Sequence, residues 1–118
     1  EVLNMVPEYK NYHNPFLALQ DEMDLLIAEY RENPAYQLTS KNQHFKQIRI
    51  YLTQCLEFVD KAFRNSGKYG ITGKINQSLL KIRQQINRIS DIIDLLVIDN
   101  DSDYLQKSKK LVFNILYY

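Results

Sequence analysis

One cysteine, Cys55, is all this 118-residue chain has, which rules out an internal disulfide and a cysteine-based zinc site and fits a reducing compartment. The thiol itself reads as a small buried hydrophobe. Three glycines and three prolines leave little material for a turn-rich β fold. No run approaches the ~18 continuous apolar residues of a membrane span, and the N-terminus lacks the basic flank and apolar stretch of a signal peptide. The segment itself is therefore expected to make no membrane contact and to be cytoplasmic. Charge of one sign is also missing: 15 Lys and Arg stand against 14 Asp and Glu, a formal net charge of +1. No global field draws nucleic acid or anionic lipid, so any such binding needs a local patch.

What is present is ordinary for a globular domain, with 45% hydrophobic and 25% charged residues. The length suits one domain over 1–118. Because the chain begins at Glu1 rather than Met and stops at Leu116-Tyr117-Tyr118 inside an apolar helical pattern, it is expected to be part of a longer protein.

Helical periodicity organises the rest. Val2, Leu3, Met5 and Val6 suffice for one or two turns before Pro7. Asn14-Pro15 is a start signal, since Asn caps a free amide and proline loses no bond at the first helical position. Phe16, Leu19, Met23, Leu26, Ile27 and Tyr30 then form one apolar face of a helix A ending near Glu32, before Asn33-Pro34. Ser40 and Gln43 read as a capping box for helix B, Lys41 to about Ser66, with Phe45, Ile48, Leu52, Cys55, Phe58 or Val59, and Ala62 on its apolar face. Gly67 suits a left-handed C-cap.

Helix C, about Gly73 to Ile98, has the clearest signal. Ile75, Leu79, Ile82, Ile86, Ile89, Ile93 and Leu96 alternate steps of four and three over three heptads. Leu80, Ile92, Leu95 and Ile98 add a second apolar edge, which predicts a helix docked against two others. Helix D begins within Asp99–Asp103, whose carboxylates favour a helix N-terminus, and continues through Tyr104, Leu105, Leu111, Val112, Ile115 and Leu116. The fold class is all-α, an elongated antiparallel bundle of three to four helices.

Most chemical motifs fail on inspection. Asp99, Asp101 and Asp103 open like a calcium loop, yet the sixth position holds Tyr104 instead of glycine and the twelfth Lys110 instead of glutamate; capping is the expected role. His13 and His44 lack ligand spacing and read as loop or solvent-facing residues. Nine tyrosines fall mostly at helix-face spacing and read as packing with hydroxyls at the rim. No metal or other cofactor is expected. Lys74, Lys81 and Arg88 repeat every seven residues beside the helix C seam, with Arg83 close by. This basic edge has two readings: ion pairs with acidic residues of neighbouring helices, or a stripe that meets phosphates or an acidic partner.

From Cys55 to Leu96, about a third of the chain, the sequence resembles a known family. Cys55 in helix B, the Gly70-Ile71-Thr72 turn, and Leu79, Leu80, Ile86, Arg88, Ile89, Ile93, Leu95 and Leu96 in helix C carry the likeness. The family is that of bacterial site-specific recombinases of the gonococcal crossover type, in its N-terminal helical region. The resemblance implies a larger protein with a membrane-embedded later part, and so a soluble portion of an inner-membrane protein. It also implies strand exchange, for which the residues here offer no set. A tyrosine recombinase needs His-x-x-Arg, but His13 precedes Asn14-Pro15-Phe16 and His44 precedes Phe45-Lys46-Gln47. A serine recombinase clusters its arginines, whereas Arg31, Arg49, Arg64, Arg83 and Arg88 are scattered.

The expectation is accordingly a non-catalytic scaffold or interaction domain, whose partner is the remainder of its own chain or another protein. The alternative is a nucleic-acid-binding accessory domain that contacts DNA through Lys74, Lys81, Arg83 and Arg88. A third is self-association through the helix C seam.

Overall fold

The computed structural model describes residues 14–33, 38–65 and 73–117; the side chains of Asn65, Gly73, Lys74 and Ile75 lie outside the described part. Four helices follow one another: α1, Pro15–Glu32; α2, Gln43–Asn65; α3, Gly73–Asp99; and α4, Asp103–Tyr117. The predicted turns around Val2–Val6, His13 and the Gly67 cap fall outside the described residues.

Local chemistry sets the helix ends. Asn14 Oδ1 accepts from the Phe16 and Leu17 amides at 3.0 and 3.4 Å, beside a proline that needs no acceptor. The predicted Ser40 box is not what starts α2. Ser40 lies in a turn, and Asn42 caps instead, its Oδ1 accepting from Phe45 N at 3.1 Å while Nδ2 donates to Glu29 Oε2 at 3.1 Å. A carboxamide can accept from its own helix and donate to the neighbour at once, which satisfies the cap and docks α2 on α1. At the α3–α4 corner Asn100 takes a left-handed φ of 53°, its amide bonded to Leu96 O at 2.8 Å. The Asp99–Asp103 stretch then caps: Asp101 Oδ1 accepts from Asp103 N at 3.0 Å, and Tyr104 Oη donates to Asp99 Oδ2 at 2.9 Å.

The helices close into a ring in which α1 packs on α2, α2 on α3, α3 on α4 and α4 back on α1. Cross-helix ties fix the direction of the chain. Arg49 with Asp94, and Asp60 with Arg83, step in opposite senses along α2 and α3, so that pair is antiparallel. The Phe16–Phe58 edge contact (5.9 Å) and the His44–Glu29 tie do the same for α1 and α2. The molecule measures 52 × 23 × 22 Å, elongated along helices of which α3, with 27 residues at ~1.5 Å each, spans about 40 Å. It is an up-down-up-down four-helix bundle.

The core is the predicted one. Phe16, Leu19, Met23 and Leu26 of α1 meet Phe45, Ile48, Cys55 and Val59 of α2, and Leu79, Ile86, Ile89, Ile93 and Leu96 of α3, all nearly or fully buried. The second apolar edge of α3 differs from expectation. Ile92 is half-buried, but Leu80, Leu95 and Ile98 are 49%, 42% and 75% exposed. Helix α3 does dock against two neighbours, α2 and α4, but at ~100° per residue these three positions turn to the solvent side between them. The described part of the isoleucine seam, Leu79 to Leu96, is in contrast consumed by the core.

One polar knot joins three segments. Asn100 Oδ1 accepts from Tyr30 Oη at 2.8 Å and from Leu38 N at 3.1 Å, which ties the α3–α4 corner to the end of α1 and to the strand of chain leading into α2. Asn100→Ala is expected to lower stability by about 2–4 kcal/mol, from two lost bonds of roughly 1 kcal/mol each and a left-handed alanine costing about 1. Asn100→Gly keeps the backbone angle, so urea denaturation should find it less damaging by about 1 kcal/mol; equal losses for the two would contradict this account. Elsewhere Ser108 is fully buried and its hydroxyl finds no partner among the described residues. Ser108→Ala should therefore be neutral or stabilising by up to about 1 kcal/mol, a result read from the same denaturation curves.

Candidate functional site

The four basic residues singled out on α3 do not form one edge. Lys81 and Arg88 lie on one line, seven residues and about 10 Å apart, and both are exposed. Arg83, two residues beyond Lys81, stands about 200° further round the axis. It faces α2, where its Nη1 sits 3.5 Å from Asp60 Oδ1. Lys74 opens α3, with its side chain outside the described part. The two readings of the basic edge thus divide by flank. Toward α2 the charges pair, with Arg49 bound to Asp94 as well and lying over the Phe45 ring at 4.9 Å. Toward α4 they do not pair in this way.

On that α4 flank Arg88 meets cations that sequence reading missed. Arg88 and Ile92 of α3 and Lys107, Lys110, Leu111 and Asn114 of α4 line a groove of about 310 Å³. Its floor is aliphatic, its walls carry three positive charges, and no carboxylate lines it. Lys107 Nζ lies 5.7 Å above the Tyr104 ring, which steadies it at the groove's end. Lys107 and Lys110 are three residues apart and lie on one side of Leu111, so a signal existed in the α4 sequence. It needed the knowledge that this side of α4 packs against Arg88 rather than against α1, where the adjacent Lys109 instead meets Asp24 at 2.6 Å.

The opposite corner is acidic. Helix α1 carries Asp21, Glu22, Asp24, Glu29 and Glu32 against a single Arg31. His44 is not the solvent-facing residue expected: its Nδ1 lies 2.7 Å from Glu22 Oε2 and its Nε2 3.3 Å from Glu29 Oε1. Glu22 and Glu29 are a heptad apart on the flank of α1 that the first turn of α2 crosses, so one ring spans both carboxylates.

Reactive groups are placed for structure. Cys55 is fully buried in the core, and burial alone pushes its thiol far above the usual range, which removes nucleophilic character. Tyr30 is raised first by burial and then by the Asp101 and Glu29 charges, and Tyr104 first by its bond to Asp99. Arg49 of α2 pairs with Asp94 of α3, Arg83 of α3 pairs with Asp60 of α2, and Arg88 faces α4, so these arginines converge on no common point. Among the described residues no group of three or more His, Cys, Asp or Glu side chains is placed to hold a metal ion, and no helix is long and apolar enough to cross a membrane.

Fold and site together define an all-α, antiparallel four-helix bundle with one cationic and one acidic flank. The whole chain, residues 1–118, matches the family model described as site-specific recombinase, and the chain belongs to that family. No curated protein and no solved structure matches it.

Because Cys55, Tyr30 and Tyr104 hold their protons more tightly when folded than when unfolded, stability is complete below the ordinary thiol value of 9.0 and falls as pH climbs through it and the phenol value of 10.0. Cys55→Ala should remove the earlier part of that alkaline loss in denaturation curves taken at rising pH. In the native protein Cys55 should react with an aromatic disulfide reagent only as fast as the bundle opens, and rapid stoichiometric labelling of folded chain would contradict the burial argument.

Proposed function

We propose that this chain is a non-catalytic helical scaffold, an interaction domain of a site-specific recombinase family protein that works on the cytoplasmic side and docks the remainder of its own protein or another one. The observation that carries the reading is how the charged groups are used. His44 with Glu22 and Glu29, Arg49 with Asp94, Arg83 with Asp60, and Lys109 with Asp24 each tie one helix to the next around the ring. Pairs this exposed add little stability, of order 0–1 kcal/mol apiece, but they fix helix register. Outward aliphatic side chains such as Leu25, Ile50, Leu80 and Ile98 remain available on the surface so formed.

The groove favours a second reading, a nucleic-acid accessory role in which Arg88, Lys107 and Lys110 contact backbone phosphates, with Lys81 and Lys74 further along the same line of α3. One experiment separates the two. On the scaffold reading, duplex DNA is not retained at low salt. On the accessory reading it is, and three phosphate contacts give a slope of roughly −3 in log K against log salt, abolished by reversing Arg88, Lys107 and Lys110. Incubation with nicked duplex should leave no covalent protein–DNA adduct on a denaturing gel; an adduct at any tyrosine or serine would overturn the non-catalytic assignment.

A further inference from the structure

We infer that the cationic groove between α3 and α4 is the docking site for a second copy of this chain, whose α1 outer face seats in it. The inference rests on the interaction-domain reading and names its partner. Two surfaces of the same molecule are complementary. The groove has an aliphatic floor of Ile92 and Leu111 between Arg88 on one wall and Lys107 and Lys110 on the other, with the Asn114 amide beside them. The outer face of α1 presents Leu17, Asp21, Leu25, Ala28 and Glu32 at steps of four, four, three and four, a single stripe along the helix, all of them exposed. Leu17 and Leu25 are 43% and 52% exposed, large values for leucines on a bundle whose other α1 leucines are buried. An acidic helix with aliphatic anchors is the chemistry that the groove fits, and α1 supplies it.

Other occupants fit less well. Duplex DNA is about 20 Å wide in a groove that offers three cations, and proteins that hold it tightly use some 6–10 phosphate contacts. Single strands want aromatic platforms, and no aromatic side chain lines the groove.

The two surfaces lie on different sides of the ring, because α1 packs on α2 and α4 and is diagonal to α3. A contact between unlike surfaces is heterologous and leaves a free groove at one end and a free α1 face at the other, so association continues head to tail past two copies instead of stopping at an isologous dimer.

Sedimentation and light scattering of the full chain test this. At low salt the average mass should climb with concentration from the 14.0 kDa monomer past the dimer, and fall back at high salt. Asp21→Arg on one molecule, or Arg88→Glu with Lys110→Glu on another, should each leave a monomer of unchanged helical circular dichroism. Mixing the two variants in equal amounts should restore association, because both reversed faces then meet opposite charge. A monomer at every concentration and salt, or association untouched by the reversals, overturns the inference. So does a monomer that binds duplex DNA through the same groove, an outcome that moves the groove to nucleic acid and overturns the scaffold reading too. A monomer that binds another protein keeps the scaffold reading and removes only the second copy.

Discussion

The architecture depends on one carboxamide. A ring of four helices needs its last helix to return to its first, and the corner that sends α4 back to α1 is the Asn100 turn. That residue meets three demands at once. Its backbone takes the left-handed angle that ends α3, its amide closes the last turn of that helix on Leu96, and its side-chain oxygen accepts from Tyr30 and from the backbone of Leu38. Few residues besides Asn combine tolerance of positive φ with a side-chain acceptor that reaches two donors. Without the knot the helices could still pack by their apolar stripes, but the angle of α4 against α1 would be set by packing alone.

Sequence periodicity carried most of the fold because nothing in the fold competes with it. The faces of α1, α2 and α3 are built from residues at three- and four-residue steps, and the core takes them as written, from Phe16 and Met23 through Cys55 to Ile93 and Leu96. Helix limits followed where a cap acts within its own helix, as Asn14 does. They shifted where a cap serves two helices. Asn42 outcompetes Ser40 since its amide also reaches Glu29, a contact between residues 13 apart that local rules cannot see. The apolar residues Leu80, Leu95 and Ile98 misled for the complementary reason: apolar character states what a side chain prefers, while the angle at which neighbours approach decides which positions are covered.

The candidate site was half legible. Arg88 and its flank of α3 stood out by heptad spacing, but the sequence placed Arg83 with them, although a two-residue offset sends it to the opposite side of the helix and onto Asp60. Lys107 and Lys110 become partners of Arg88 only once α4 is folded back on α3. His44 shows the same dependence: no spacing within α2 announces two carboxylates that lie on α1. In each case the missing information is which flank of a helix meets which neighbour.

A formal net charge of +1 conceals this segregation. Helix α1 is strongly acidic, the α3–α4 groove is cationic, and the α2–α3 flank neutralises itself through Arg49, Asp94, Asp60 and Arg83. Charges separated by the bundle's ~20 Å width interact weakly at physiological salt, since screening acts within about 8 Å, so the asymmetry contributes little to folding. Its effect falls on whatever approaches from outside, where unlike flanks orient an encounter and like flanks repel. The same side chains that carry reactive groups also hold the helices together: the thiol of Cys55 is buried in the core, and the hydroxyls of Tyr30 and Tyr104 are bonded to Asn100 and Asp99.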